Sequence, residues 1–333
     1  MEKSSDPVWV VAEQEGGHLL SISLQLTGKA RQLADQLGTS LEVVLLGEKS
    51  GLNRDFLIAA GADTLFLGDA PELRLYQPDL YTEMIVRLAT ERKPQILLMG
   101  STVMGRELAP LVAARLETGL TAHCINLLIN ENGIMAQEIP AYGGLITITC
   151  PQRRPQMATV AKGVFRKPEP VESRTGQIVM MDLPDDCFGR IRTIEMVREA
   201  PRGIPLESAS IVVAGGVGAG DVEGWGKIEA LSRTLNAALG STRPAVDAGW
   251  TELETMIGQS GKMVNPNLYI GIGLSGEQQH MVGITGAQVM VAINNDAKSP
   301  VFEQVDFGVV DDCREFVPAL TEKIEQYRKG SLS

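Results

Sequence analysis

A series of turns built from glycine and small polar residues crowds the last third of the sequence: Gly215-Gly216-Val217-Gly218-Ala219-Gly220, then Gly258-Gln259-Ser260-Gly261-Lys262, then Gly273-Leu274-Ser275-Gly276 leading into Glu277-Gln278-Gln279-His280, then Asn294-Asn295-Asp296. Each adjoins short apolar runs, a pattern that presents backbone N–H groups at the edge of a sheet, where phosphates and nucleotides bind. The run Leu268 to Ile272 reads as a buried parallel strand, and the break after it puts Ser275 near a helix N-terminus. There, unpaired N–H groups and a macrodipole of roughly half a positive charge favour a pyrophosphate, with no Cβ in the way at glycine. An ordinary strand-to-helix turn carries the same residues, and for the Gly215–Gly220 loop close strand–helix packing competes equally with a dinucleotide turn.

Further chemistry gathers nearby. In Ser241-Thr242-Arg243-Pro244-Ala245-Val246-Asp247 an arginine is pinned ahead of a proline in a stretch short of charge, so a semi-buried guanidinium in need of an acidic partner is expected, with Asp247 as the plain structural choice. Gly216, Arg243, Ser260, Ser275, His280, Asn294 and Asp312 all fall at or after the ends of expected strands, which is where ligands sit on open α/β sheets. No nucleophile–base pair stands out for bond cleavage.

The elements that must position these groups follow from periodicity. Strands are expected at Val8–Ala12, Glu42–Leu46, Thr64–Leu67 and Gln95–Met99, alternating with helices at Leu24–Gln36, Arg54–Ala60, Leu80–Glu91 and Gly105–Arg115, before strand-like stretches at Ile146–Thr149 and Ala158–Val160. Such alternation predicts an α/β domain with a parallel sheet. Residues 166–207, rich in proline, read as the tail of that domain and a linker. A second α/β unit opens at Ser210–Ala214, continues with a helix over Val222–Ala238 whose Trp225, Ile228, Leu231, Leu235 and Leu239 share one face, and adds strands at Leu268–Ile272, Val289–Ile293 and Gly308–Val310. Asp312 is placed to cap a last helix, Cys313–Arg328, with Phe316, Val317, Leu320 and Ile324 on one side. The division expected is 1–205 and 206–333.

Composition narrows the classes. With 333 residues, 44% hydrophobic and 21% charged, the chain fits two ordinary globular domains. A net charge of −11 without a basic cluster argues against nucleic acid. The first apolar run is too short for a signal segment or a membrane span and reads as a first strand, and scattered cysteines that fit reduced, buried thiols lead to the expectation of a cytoplasmic protein. The four cysteines, Cys124, Cys150, Cys187 and Cys313, form no CxxC, and with three histidines no metal site is expected.

Over residues 208–329 the runs GGVG, STRPAVDAGW, MIGQSGK, LYIGIGLSGEQQH, AINND and VDFGVVDD resemble the FAD-binding domain of the electron transfer flavoprotein alpha subunit. The segments VWVVAEQ from Val8, GRELAP from Gly105, TGLTA from Thr118 and PQRRPQMA from Pro151 are similar to that family's N-terminal half. The resemblance implies a Rossmann-like FAD domain, an N-terminal α/β domain that contacts a partner, and a heterodimer with a beta subunit holding AMP or, in bifurcating members, a second FAD. It also implies electron traffic with a flavin dehydrogenase such as an acyl-CoA dehydrogenase of fatty acid beta-oxidation. By the same resemblance, Gly216, Thr242 and Arg243 lie by the flavin, Ile257, Gly258, Gln259 and Ser260 at the ring edge with Ser260 reaching N5, and Ser275, Gly276, Glu277, Gln278, Gln279 and His280 along the pyrophosphate and pyrimidine side. Asn294, Asp311 and Asp312 hold the adenosine end. Arg243 and His280 then supply positive potential where negative charge develops on the flavin.

Two residues depart from the family pattern. Val217 stands where many members carry an arginine, which removes a positive charge from the glycine loop, and Glu277 stands where a small or apolar residue is usual, so its carboxylate is expected to point away from a pyrophosphate. A different class, an NAD-dependent enzyme on a related dinucleotide domain, needs a catalytic lysine or histidine, for which Lys262 is the candidate, but Arg243 and the GQSGK setting suit a flavin better. A scaffold that has lost flavin is disfavoured by Arg243, Ser260, His280 and Asn294 occurring together.

Overall fold

The computed structural model describes residues 6–141, 144–184, 191–197 and 203–330. The chain divides into two compact units, Met1–Arg198 and Glu199–Ser333. Cys187 lies outside the described residues; of the other cysteines, Cys124 and Cys313 are buried and Cys150 is half-buried, all with free thiols. Among the described residues no helix is long and apolar enough to cross a membrane.

The first unit runs β1 (Val8–Ala12), a small hairpin of β2 (Gln14–Glu15) and β3 (His18–Leu19), α1 (Ser21–Leu37), β4 (Leu41–Gly47), α2 (Arg54–Ala59), β5 (Thr64–Asp69), α3 (Pro78–Arg92), β6 (Ile96–Gly100) and α4 (Val103–Arg115). It continues with β7 (Leu120–Cys124), β8 (Asn126–Ile129), β9 (Met135–Ala141), β10 (Gly144–Thr149), β11 (Gln156–Val160) and β12 (Gln177–Met180). Seven strands form a parallel sheet in the order β12-β5-β4-β1-β6-β11-β7. β1 is apolar at every position because helices cover both faces: Val8, Val10 and Ala12 pack with Leu26 and Leu33 of α1, while Trp9 and Val11 pack with residues of α3 and α4.

Two features of this unit differ from the parallel α/β pattern expected of it. β8, β9 and β10 form a separate three-stranded antiparallel sheet, inserted between β7 and β11. The proline-rich stretch after residue 166 is also not wholly a linker, since β12 pairs in parallel with β5 at the sheet's edge, a place that tolerates short strands.

The sheet also buries two acids with opposite outcomes. Glu42 on β4 accepts from Trp9 Nε1 at 2.7 Å and pairs with Arg92. Glu13, just past β1, is 4% exposed, and its Oε1 has no hydrogen-bond partner among the described residues. It lies over the end of β6, where a Cβ on Gly100 would stand 2.7 Å from that oxygen. Burial pushes the Glu13 carboxyl up to about 7, against the pull of the Thr102 hydroxyl, Lys162 and the Gly100 backbone.

In the second unit β13 (Ile211–Gly215), α5 (Val222–Leu235), β14 (Ala238–Ser241), α6 (Arg243–Asp247), β15 (Leu268–Ile272), α7 (Gln278–Met281), β16 (Val289–Asn294), β17 (Phe307–Val310) and α8 (Cys313–Gly330) follow one another. All five strands are parallel, in the order β14-β13-β15-β16-β17. The helix expected to reach Ala238 stops at Leu235, because Asn236 turns left-handed at φ 52° and its N–H closes the helix on Arg233 O. Leu239 therefore belongs to β14, a strand the periodicity did not reveal.

One face of this sheet is covered by α5 and α8, whose Trp225, Ile228, Leu231 and Val317 are buried with Val213, Ile270 and Ile272. The other face is covered by irregular segments instead: Tyr269, Val212 and Ala214 pack beneath Leu206, Ile257, Val264, Leu274 and Val301. Loops, not helices, close that side, so the groups that reach the sheet's edge are carried by turns.

Candidate functional site

All of the turns singled out in the sequence emerge at the carboxyl edge of the five-stranded sheet. The strand order places the topological switch at the β13/β15 pair, the position at which doubly wound folds bind ligands. The two turns at this switch are laced backbone to backbone: Gly216 N–H donates to Ile272 O at 2.9 Å and Gly218 N–H to Gly273 O at 2.8 Å. A Cβ on Gly216 would stand 2.4 Å from Gly273 O, and one on Gly215 would stand 2.4 Å from the ring of Trp225. The glycines of this loop thus serve close packing, against the next turn and against α5. Val217 crowns the loop, half exposed.

Beside it, Thr242 N–H donates to Gly215 O at 3.0 Å, and Ile257 N–H donates to Ser241 O at 3.0 Å. Arg243 is not semi-buried as expected: its side chain is 71% exposed and meets Asp247 at 3.5 Å. Pro244 accounts for this, since it fixes the first turn of α6 and leaves Arg243 at the helix's outer end. An exposed pair of this kind is worth about 0 to 1 kcal/mol, so the guanidinium is available to a stronger anion.

The turn from Gly258 to Gly261 rests on α7. Gly261 N–H closes it on Gly258 O at 3.0 Å, and Gln259 N–H donates to Gln279 O at 2.7 Å. Gly258 holds φ 137°, and a Cβ there would stand 2.3 Å from Gln279 O. Gln259 and Ser260 are exposed at the tip, while Ile257 is buried. Lys262 meets Glu207 at 3.4 Å, so the lysine proposed for a nicotinamide enzyme is already paired.

His280 is buried, 6% exposed, with Nε2 at 2.6 Å from the Tyr269 hydroxyl and Nδ1 at 3.0 Å from Ile257 O. Burial pushes the imidazole down to about 4, only partly offset by the Ile257 carbonyl. The neutral ring is therefore the form favoured by this buried setting.

The pyrophosphate-type turn takes a different form from that expected. β15 covers Leu268–Ile272 as read, but α7 has four residues, too few for an appreciable macrodipole. In place of a helix dipole there is a run of amides: the N–H groups from Ser275 to Gln279 have no hydrogen-bond acceptor among the described residues. Gly276 adopts φ 80°, and a Cβ on it would stand 2.6 Å from Val301 Cα. Ser275, Glu277, Gln278 and Gln279 are exposed, and Glu277 O accepts from His280 N–H.

Three side chains pin this turn from behind. Asn294 Nδ2 donates to Leu274 O at 2.9 Å and approaches Ser299 Oγ at 3.2 Å, Ser299 Oγ donates to Ser275 O at 3.3 Å, and Gln304 Nε2 donates to Gly276 O at 2.9 Å. Asn294 Oδ1 also accepts from Asp296 N–H at 2.9 Å, so its amide is engaged within the protein. Asp312 caps α8 through Arg314 N–H at 2.9 Å and pairs with the Arg314 guanidinium at 2.7 Å, and this guanidinium holds its carboxyl down at about 2. Asp311 Oδ1 in turn accepts from Asp312 N–H at 2.8 Å. Tyr269, Ser299, Gln304 and Arg314 escaped the sequence reading; their partners are backbone atoms or neighbours set by the fold, which leave no periodic signal.

A parallel sheet with a laced switch point, a row of open amides beside it and an available guanidinium defines a dinucleotide-binding protein built on an open parallel α/β sheet. Comparison with known proteins makes this specific. Residues 8–186 match the electron transfer flavoprotein domain and residues 205–285 match the electron transfer flavoprotein FAD-binding domain. The chain is 39% identical to the electron transfer flavoprotein subunit alpha of Thermoanaerobacterium thermosaccharolyticum, over 96% of this chain and 98% of that one. It is 38% identical to the subunit alpha of Megasphaera elsdenii, over 96% and 97%, and 39% identical to the protein FixB of Rhizobium meliloti, over 95% and 92%. The chain belongs to the electron transfer flavoprotein alpha-subunit family, and its cofactor is FAD.

Proposed function

We propose that this chain is the alpha subunit of a heterodimeric electron transfer flavoprotein, carrying electrons between an acyl-CoA dehydrogenase and a further redox acceptor in the cytoplasm, with a beta subunit that holds AMP or, in a bifurcating complex, a second FAD. The observation that carries the site is the row of open amides from Ser275 to Gln279, held beside the β13/β15 switch by Asn294, Ser299 and Gln304. Five N–H groups without acceptors suit the oxygens of a pyrophosphate, and Gly276 keeps the approach free of a side chain. FAD supplies one-electron redox chemistry when bound.

The chain's own groups then divide the work. The amides of Ser275 to Gln279 bind the phosphates, and Gly216 lets the neighbouring turn close up without a side chain between. Arg243, exposed at the end of α6, brings positive charge, and Ser260 with Gln259 offers hydroxyl and amide groups at the tip of a turn locked to α7. Thr242 and Ile257 hold those two turns in register through Gly215 and Ser241. Asn294, Asp311 and Asp312 support the adenosine end as framework, through the turn and the α8 cap.

Purification with its beta subunit is expected to give a yellow complex containing FAD, reduced on addition of an acyl-CoA dehydrogenase and its substrate; one FAD with one AMP marks a simple shuttle. A colourless complex that takes up no FAD overturns the site. Two FAD and no AMP moves the protein to the electron-bifurcating class, and failure to accept electrons from acyl-CoA dehydrogenases removes that donor.

A further inference from the structure

We propose that Tyr269 is a positioning residue of the flavin site: its phenol locks His280 as the neutral Nδ1–H tautomer, and through His280 it sets the turn bearing Gln259 and Ser260 against α7. The inference rests on the placement of FAD at this edge of the sheet.

The proton positions follow from chemistry. A carbonyl oxygen only accepts, so the 3.0 Å contact between His280 Nδ1 and Ile257 O requires the proton on Nδ1. Tyr269 is fully buried, and its hydroxyl meets Nε2 at 2.6 Å. Burial pushes the phenol up and the imidazole down, so near neutral pH the phenol keeps its proton and the ring has a lone pair at Nε2. The one consistent arrangement is Tyr269 O–H donating to Nε2 while Nδ1–H donates to Ile257 O.

Three segments meet at this ring: β15 through Tyr269, α7 through His280, and the turn after α6 through Ile257. Two residues on, Gln259 N–H reaches Gln279 O at 2.7 Å, so the turn hangs from α7 by a pair of hydrogen bonds, one of them made by the imidazole. Their spacing is unforgiving, because a Cβ on Gly283 would stand 2.4 Å from Gly258 N. If the ring rotated or changed tautomer, a lone pair would face the Ile257 carbonyl, that link would open, and the exposed tip at Gln259 and Ser260 would shift. Both ring nitrogens are committed to the protein, so His280 acts on the flavin through the turn it fixes.

The chain has three histidines, so 15N-histidine spectra of the full chain, assigned through His280→Asn, read this ring directly. The expected spectrum shows a protonated Nδ1 and an unprotonated Nε2 for His280 at pH 7, with or without FAD; an Nε2–H ring or an imidazolium overturns the proposal. Tyr269→Phe leaves the lone pair buried without a donor, and is expected to give a mixture of tautomers and about tenfold weaker FAD binding. An unchanged tautomer together with unchanged FAD affinity refutes the role. If Tyr269→Phe does not fold, His280 variants decide: the side-chain amide introduced by His280→Asn reaches the former Nδ1 position, so that variant is expected to retain FAD better than His280→Ala, and equal losses refute the link to Ile257. Wild-type protein that shows the expected ring and binds no FAD refutes the flavin placement and leaves the tautomer standing.

Discussion

Glu13→Gln isolates the cost of one buried carboxyl. The native environment raises this group from 4.5 to about 7, so the protonated form is favoured by folding. A raised carboxyl contributes stability that is complete below pH 4.5 and is lost as pH rises through about 7. At about 1.4 kcal/mol per unit, the roughly 2.5-unit rise amounts to some 3 kcal/mol, and a side chain that is 4% exposed needs no large discount for solvent. Glutamine keeps the shape and does not titrate. Native-state hydrogen exchange of the β1 and β6 amides in the full chain reads the first unit alone. The variant is expected to be more stable than wild type by about 3 kcal/mol at pH 8 and nearly equal to it at pH 4. A difference that stays constant between those two pH values refutes the reasoning.

The remaining predictions concern the second unit. Arg243→Ala removes a cation whose present partner is an exposed aspartate, so stability in urea is expected to change by less than about 0.5 kcal/mol while the flavin reduction potential falls by tens of millivolts, since ~1.4 kcal/mol corresponds to 59 mV for one electron. A spectroelectrochemical titration that matches wild type refutes the role. Gly276→Ala forces a Cβ to within 2.6 Å of Val301 Cα at φ 80°, which is expected to cost about 1 to 3 kcal/mol and to release FAD during gel filtration; retention at wild-type stoichiometry counts against the turn as the phosphate site.

What the sequence made legible followed physical period. The short apolar run Leu268–Ile272 is of the kind a strand covered on both faces shows, and it matched residue for residue. Asp312 announced the last helix because a capping carboxylate has a local acceptor role, seen in its bond to Arg314 N–H. Ala238–Ser241 was not legible, since alanine, glycine and serine carry no β signature and the preceding helix ran into it without a break in polarity. Of the antiparallel β8-β9-β10 sheet only β10 was legible, as the strand-like stretch Ile146–Thr149; its pairing with β9 and β8 is made between strands and leaves no mark in any one of them. At the site, Arg243 was read as semi-buried from its neighbours in the chain, whereas its exposure is decided by where α6 starts. Pins such as Gln304 on Gly276 act across 28 residues of chain and leave no local trace.

Those pins also bear on when the protein becomes competent. The open amides lie at residues 275–279, but Asn294, Ser299 and Gln304, which hold them in shape, are made later. A growing chain that has just completed β15 and α7 displays the donors without the brace. During synthesis, then, a settled phosphate site has to wait until the chain has emerged through Gln304, and a chain cut short before Gln304 would keep most of its sheet yet lack that brace.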